Sequence, residues 1–275
     1  MTELQSPARL ASVVYAEPPD LDDPAELYHE ASKLVPATAA RQLAGAVRLA
    51  ASPELRRAVT LASHRHPELP LLPLPEPAPL AAPLGATIAA RRSARELGDE
   101  PLGGATLAAL LDAAYGVTGA LADEDGWQQP LRAAPSGGAL YPLDLYVAAT
   151  RVEGLAPGLY RFEPLERGLE PLGPAAGLAE ATAYPALASA AASTVVIAAT
   201  FWRSRFKYGL RAYRFALLEA GHVAQNLLLA ATALGLAAVP LGGFYDHRVD
   251  EVLGLDGVDR GSLYLVCIGS RKGGG

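Results

Sequence analysis

The fold of this chain is indicated by the stretch APSGGALYP at residues 134–142 and by the apolar segment LDLYVAAT at residues 143–150, which follows it directly. The second segment is apolar enough to be a central β-strand. In the first, Gly137 and Gly138 lack Cβ atoms, so the backbone can approach a flat ligand closely. The pattern predicts a binding loop that runs into a buried strand; an ordinary turn before a strand is the alternative.

Apolar periodicity elsewhere in the chain predicts both helices and strands. Strands are expected at 158–163, 193–200, 237–241 and 263–268, and helices at 107–115, 175–192 and 213–234. The alanine-rich helix at 175–192 should be interrupted near Pro185, and the longest helix should end at Gly235. Because helices and strands do not alternate with a regular βαβ period, we expect an α+β fold in which helices pack on a central mixed sheet.

The N-terminal third differs in composition from the rest. Residues 67–83 are rich in proline and can hold neither a regular helix nor a central strand. We therefore predict that residues 1–85 form a proline-rich arm with short helices and that residues 86–275 form the main domain. Residues 1–10 lack the apolar core of a signal peptide, and the longest apolar stretch, 227–241, is too short to span a bilayer. A soluble cytoplasmic protein with no membrane contact is expected.

Composition excludes several classes of function. With 51% hydrophobic and 19% charged residues, the 275-residue chain can bury a sizeable core. A net charge of −6 argues against a nucleic-acid partner, which requires a basic footprint. The single cysteine, Cys267, excludes an internal disulfide framework. No metal site is predicted, because His64 and His66 have no acidic or thiol companion nearby.

Three further motifs carry chemistry. RRSAR at residues 91–95 offers fixed cations whose planar donors suit a phosphate, with a solvated basic turn as the alternative. KYG at 207–209 pairs a candidate base with a hydroxyl that can relay a proton, although the same residues are common at surface helix ends. PLGGF at 240–244 is a second glycine-bearing turn.

Together and in this order, the four motifs resemble the FMN-dependent nitroreductase superfamily. The Lys207-Tyr208 pair and the PSGGALYP stretch resemble its SagB-type branch, the azoline (thiazole/oxazole) dehydrogenases. The similarity runs from about residue 28 to residue 272. It implies a nitroreductase-like fold and an intertwined homodimer, with FMN in a groove between the subunits. The chain has no G-x-G-x-x-G turn, so its flavin would not be bound in the Rossmann manner.

The resemblance also implies roles for individual residues in holding FMN. Arg91 would reach the phosphate, with Arg271 and Lys272 as a second clamp; Arg92 and Ser93 would contact the ribityl chain or ring edge, and Arg95 the pyrimidine side. The loop from the second subunit would cover the ring through Pro135, Ser136 and Gly137. The turn formed by Pro240, Leu241, Gly242 and Gly243 would direct N–H groups at flavin N5.

Departures from simple nitroreductases favour the SagB-type branch. Ala139 and Tyr141 stand where such enzymes often carry Asn and Gln, and Gly242 stands where many carry Glu. In this branch Lys207 and Tyr208 would be catalytic, moving a proton from carbon while a hydride leaves for the flavin. Arg203, Arg205 and Arg211 could supply a cationic neighbourhood that lowers the pKa of Lys207.

The function implied is oxidation of thiazoline or oxazoline rings in a modified peptide during natural-product biosynthesis, with dioxygen as the flavin oxidant. The partners would be the azoline-containing peptide and a cyclodehydratase. Two alternatives stay open: an NAD(P)H-dependent nitroreductase or flavin reductase acting on small acceptors, and a flavoprotein scaffold in a peptide-modifying complex. A polar stripe on the long helix, Glu219, His222, Gln225 and Asn226, is predicted to be a seam at a helix or subunit interface.

Overall fold

The structure is a computed structural model. It describes residues 23–37, 39, 44–60, 65–124 and 126–272. At its centre lies a seven-stranded sheet. Its strands lie in the order β1-β6-β5-β4-β7-β9-β8. They are β1 Leu72–Pro73, β4 Leu143–Ala149, β5 Gly158–Glu163, β6 Gly168–Gly173, β7 Ser193–Thr200, β8 Ala237–Leu241 and β9 Arg260–Gly269. A separate hairpin, β2 Val117–Ala122 and β3 Gln128–Arg132, leads into the 134–142 loop.

Some of the helices cover the two faces of this sheet. The described α-helices are α1 Pro24–Ala31, α2 Ala44–Ala51, α3 Pro53–Thr60, α4 Leu84–Ala90, α5 Gly104–Tyr115, α6 Pro185–Ala190, α7 Trp202–Tyr208, α8 Arg211–Ala233 and α9 Asp246–Leu253. Helices α5 and α8 pack on one face, and α6 and α9 on the other. Strand β4 alternates accordingly: Leu143, Leu145 and Val147 enter the first core and Tyr146 the second.

The α+β class predicted from the sequence is confirmed. Strands were expected at 158–163, 193–200 and 237–241 and are found there. The sheet is less mixed than expected, because every pairing between its described strands is antiparallel and parallel pairing is limited to the isolated bridge between Leu102 and Val152. Short links such as the one between β4 and β5 permit only antiparallel neighbours, since a parallel pair needs a long crossover.

The long helix was also placed correctly, whereas the alanine-rich one was not. Helix α8 ends at Ala233, and Gly235 follows with φ of 73°. The predicted helix at 175–192 is wrong over most of its length, because only Pro185–Ala190 is an α-helix. Gly177 has φ of 85°, a value that a right-handed helix does not allow. Pro185 occupies the first turn of the short helix, where proline is well tolerated.

Two helices of the N-terminal segment, α1 and α2, contact α7 and the beginning of α8. The Tyr28 hydroxyl donates to the Leu210 carbonyl at 3.2 Å, and Arg214 donates to Ser32 Oγ at 2.8 Å. On α2, a Cβ atom at Gly45 would collide with the Phe206 carbonyl, so the two backbones are in close contact. Residues 1–22 of the predicted arm lie outside the described residues, and the boundary at residue 85 stays a prediction.

Candidate functional site

The loop that follows β3 has an unusual backbone. Ala139 and Tyr141 have φ of 51° and 48°, in the left-handed region that residues with a Cβ atom rarely adopt. Such conformations persist only where surrounding contacts hold them. Here Ser136 supplies two: its carbonyl accepts the Ala139 N–H at 3.1 Å, and its hydroxyl accepts the Tyr141 N–H at 2.9 Å. Ser136 therefore stabilises a specific loop conformation that is less common than an ordinary turn before a strand.

Lys207 and Tyr208 lie against this same loop. They end helix α7, and a Cβ atom on Gly138 would collide with both Lys207 Nζ and the Tyr208 hydroxyl. The Tyr208 ring is fixed by an edge-to-face contact with Phe215, with ring centroids 4.9 Å apart. The glycine at 138 thus makes room for the ends of both side chains, and two motifs separated by about seventy residues meet.

The three arginines expected beside Lys207 are engaged elsewhere. Arg203 is buried and pairs with Asp144 at 3.1 Å. Arg205 lies over the Trp202 ring at 4.9 Å, and Arg211 donates to the Ser32 carbonyl at 3.2 Å. These contacts use the three cations to hold α7 and α8 in place.

The basic segment at 91–95 lies beside strand β8 and the residues that follow β9. The Ala94 N–H donates to the Ala238 carbonyl at 3.0 Å, and a bridge joins Leu97 to Arg271. Arg92, Arg271 and Lys272 consequently line one cavity of about 270 Å³. Lys272 is also 3.7 Å from Glu96. Arg91 is half-buried after helix α4 and does not line this cavity, and Ser93 and Arg95 are exposed.

The turn after β8 presents bare backbone. Gly242 and Gly243 are exposed, whereas Leu241 before them is buried, and Pro240 is half-buried at the end of the strand. A Cβ atom on Gly243 would lie 3.3 Å from Ala183 Cβ, which is closer than most such contacts, and 3.4 Å from the Tyr184 ring. This turn therefore allows the close approach of a flat ligand.

Within one chain, the predicted site residues form two groups at opposite ends of α8. The loop and Tyr208 contact Phe215 near the beginning of the helix, and Lys207 lies beside Tyr208. The cationic cavity includes Thr232 near its end. Seventeen residues separate these two positions, which is roughly 25 Å at 1.5 Å per residue. An extended FMN molecule is shorter than this distance.

Glu219 lies between helices α8 and α5, as the predicted helix–helix seam allows, and is buried beneath the loop with only 2% of its surface exposed. Its Oε1 accepts the Tyr115 hydroxyl at 2.6 Å. Its Oε2 is buried and has no hydrogen bond of normal geometry within the part of the chain that the structure describes. Burial raises the pKa of Glu219 to about 7, although Ser136, Tyr115 and Arg132 each oppose this rise. The other residues of the predicted seam, His222, Gln225 and Asn226, do face outward or lie half-buried.

The raised pKa of Glu219 predicts a pH-dependent stability difference from the Glu219→Gln variant. Below about pH 4.5 the carboxyl is neutral both folded and unfolded, and its contribution is fully present; the contribution is lost as pH rises through 7, where the buried group must ionise. Relative to the variant, the wild type should lose roughly 3 kcal/mol between about pH 5 and pH 8. Denaturant unfolding at both pH values measures this. The control Glu251→Gln removes an exposed carboxylate and should follow the wild type; parallel curves for Glu219→Gln would contradict the assignment.

Comparison with known proteins agrees with this fold. Residues 88–270 match the sequence pattern of the family described as "Nitroreductase family". A protein of Methanocaldococcus jannaschii named as a nitroreductase is 39% identical over 168 residues, 59% of this chain and 80% of that protein. A crystal structure from Ralstonia eutropha JMP134, also named as a nitroreductase, is 30% identical with a TM-score of 0.63; the match covers 74% of this chain and 90% of the other.

The chain belongs to the nitroreductase family, and it is accordingly an oxidoreductase that uses a flavin. In the part that the structure describes, none of the helices combines the length and apolar character needed to cross a bilayer.

Two further similarities involve microcin processing. The microcin B17-processing protein McbC of Escherichia coli is 32% identical over 136 residues, which cover 44% of this chain and 48% of McbC. A chain in the structure of the E. coli microcin synthetase McbBCD complex with truncated pro-MccB17 bound has a TM-score of 0.54 at 23% identity. That match covers 96% of this chain and 98% of the other, so the fold similarity extends into the N-terminal segment.

Proposed function

We propose that this protein is an FMN-dependent dehydrogenase that oxidises thiazoline or oxazoline rings in a modified peptide. The observation that carries the proposal is the contact of Lys207 and Tyr208 with Gly138, which puts a base and a hydroxyl at the surface of a glycine loop. A plain hydride transfer between a nicotinamide and a flavin requires no such pair, whereas removal of a proton from carbon does.

The residues present fit FMN. Arg92, Arg271 and Lys272 line one cavity and can neutralise a phosphate monoester, with Arg91 close by in sequence. The exposed backbone of Gly242 and Gly243 can approach a ring, and Pro240 and Leu241 hold that turn on β8. Ser93 and Arg95 are exposed next to the cavity and are available to the ribityl chain and the pyrimidine edge.

The separation of the two groups along α8 favours a homodimer. A second chain related by a two-fold axis would bring its 135–137 loop, with Pro135, Ser136 and Gly137, to the cationic cavity of the first, and the reverse. The outer face of α8 suits such a contact, because Tyr213, Leu217 and Leu218 on it are 42%, 45% and 61% exposed. Leu84 and Ile88 on α4 add further exposed apolar surface.

Leu218→Asp should therefore produce a monomer that has lost its flavin. A carboxylate in the middle of an apolar interface must be desolvated, and each site is incomplete without the neighbouring loop. Light scattering combined with the flavin absorption spectrum measures both properties. Leu165→Asp, on the exposed β5–β6 turn, is the matched control and should stay a flavin-loaded dimer. A flavin-loaded monomer of the wild type would overturn the dimer proposal.

The chemistry asked of this chain is a proton transfer at carbon. FMN held by the residues above would supply the hydride acceptor, and dioxygen would take up its two electrons as hydrogen peroxide. Lys207 Nζ takes the proton from the ring carbon next to the one that loses hydride, so the azoline loses one hydride and one proton and becomes the aromatic azole. Tyr208 holds the ring heteroatom or relays the proton to solvent.

A peptide substrate and a cyclodehydratase partner are part of the same proposal. McbC is named as a microcin B17-processing protein, and the McbBCD structure contains a truncated precursor. An azoline must be formed by a cyclodehydration before it can be oxidised, so an enzyme of that class should act immediately upstream. A cytoplasmic location fits this coupling.

A second candidate, an NAD(P)H-dependent nitroreductase or flavin reductase, is favoured by the 39% identical relative that is named as a nitroreductase. Anaerobic reduction of the bound flavin separates the two. An azoline-containing peptide should reduce it rapidly under the first proposal, and NAD(P)H under the second. Reduction by NAD(P)H alone would make the second candidate the better assignment.

A further inference from the structure

Beneath the loop lies a largely buried polar cluster whose carboxylate has no part in the proposed chemistry. It consists of Glu219 on α8, Tyr115 on α5, Arg132 on β3, and Ser136 and Tyr141 of the loop itself. Four separate elements thus contribute to one cluster, and among the described residues Glu219 Oε2 is a buried acceptor with no hydrogen-bond partner of normal geometry. Buried polar atoms in native proteins are nearly always paired, so a donor for this oxygen is expected within the cluster.

Two residues of the cluster, Arg132 and Tyr115, contact the loop and the strand that follows it. Arg132 stacks over the Tyr115 ring at 4.4 Å and the Tyr141 ring at 4.9 Å, and its backbone N–H donates to the Tyr141 hydroxyl at 2.9 Å. The hydroxyl of Tyr115 is donated to Glu219 and in turn accepts the Leu143 N–H at 3.3 Å. The side chains on which the loop rests are therefore held by the carboxylate of Glu219.

Ser136 connects this carboxylate to the strained backbone. Its oxygen accepts the Tyr141 N–H, which leaves its own hydroxyl proton to be donated. The Glu219 carboxylate lies next to this part of the loop, because it accepts the hydroxyl of Tyr115, whose ring packs edge-to-face on that of Tyr141 with centroids 6.0 Å apart. Among the described residues its buried Oε2 is an acceptor with no partner of normal geometry. A hydrogen bond from Ser136 to Oε2 would fix the hydroxyl that holds Tyr141, at φ of 48°, in place.

We propose that Glu219 is a positioning residue: through Ser136 it holds the 136–141 loop in its left-handed conformation, and the loop in turn sets where Lys207 and Tyr208 meet the substrate. The last link is the contact of Gly138 with both side chains. This role rests on the proposed function, because the position of Lys207 and Tyr208 matters only if they act on a substrate.

Hydrogen exchange at flavin saturation tests the first link without any turnover. Glu219→Ala and Ser136→Ala should each speed exchange of the Tyr141 amide by roughly tenfold, since each removes part of the support for one hydrogen bond. The double variant should exchange no faster than either single variant, because the two residues act as one unit. Glu219→Gln should stay near the wild type, since its amide can bond both Tyr115 and Ser136. Glu251→Gln is the exposed control.

Steady-state kinetics with an azoline-containing peptide test the second link. Glu219→Ala should lower kcat by about ten- to a hundredfold with little change in KM, and Glu219→Gln should restore most of it. Exchange of the Tyr141 amide at the wild-type rate in Glu219→Ala, or multiplicative effects in the double variant, would overturn the positioning role. If the exchange pattern is as expected but no azoline is oxidised even by the wild type, the proposed function fails and the hold of Glu219 on the loop stands.

Discussion

Lys207→Ala and Tyr208→Phe are expected to lower azoline oxidation by about 10²–10⁴-fold while leaving the flavin bound. A positioned general base or acid contributes on this scale, because it removes the proton at the moment the hydride leaves. Both side chains end at Gly138, and no described contact joins them to the cationic cavity at the other end of α8. Single-turnover reduction of the flavin by substrate measures the effect on the chemical step alone.

The result is specific only if the rest of the enzyme is intact. Oxidation of chemically reduced flavin by dioxygen should be nearly unchanged in both variants, since it needs no base at carbon. Lys33→Ala removes an exposed lysine at the end of α1 and should keep the wild-type rate. Wild-type turnover in both site variants would mean that the pair is structural. Loss of flavin from both would mean that the pair belongs to the cofactor site and would favour the plain nitroreductase assignment.

Arg271→Ala and Arg91→Ala are expected to weaken FMN binding by roughly ten- to a hundredfold each. A hydrogen bond between charged groups contributes about 1.5–3 kcal/mol, which converts to this range of affinity. Arg271 lines the cavity together with Arg92 and Lys272. Arg91 immediately precedes Arg92 in the chain. Fluorescence titration of the flavin-free protein with FMN gives the dissociation constants.

A riboflavin titration separates phosphate recognition from ring recognition. Riboflavin lacks the phosphate, so its affinity should be nearly the same in the wild type and in Arg271→Ala. Arg248→Ala, an exposed arginine on α9 that lies over Tyr245, is the matched control and should bind FMN normally. If Arg271→Ala weakens both ligands equally, the cation acts on the fold or the ring, and the phosphate site must lie elsewhere.

Much of the fold could be predicted because its signals are local. Strand β7 is an uninterrupted β-branched and apolar segment, and α8 carries a long apolar period that Gly235 ends. Residues 175–192 misled the prediction because alanine favours helix at every position, whereas Gly177 and Pro185 act on the backbone at single points. The direction of strand pairing could not be derived from periodicity, since it depends on the lengths of the connections.

The candidate site was predicted only in part. The glycines and basic residues could be recognised by type, but the role of Glu219 depends on burial, which its neighbours in the sequence do not reveal directly. One signal was available: Ala216, Glu219, Ala220 and Val223 follow the apolar period of α8, so a carboxylate stands where the core begins. The contacts of Arg203 and Arg211 could not be predicted, because their partners Asp144 and Ser32 are distant in sequence.

Anaerobic mixing of the flavin-loaded protein with an azoline-containing peptide tests the central claim most directly. The proposed function predicts that the absorption of the oxidised flavin disappears after mixing. The peptide should lose the mass of two hydrogen atoms for each ring that is oxidised. Lys207→Ala should slow both changes equally. A flavin that stays oxidised with the peptide but is reduced at once by NAD(P)H would contradict the claim.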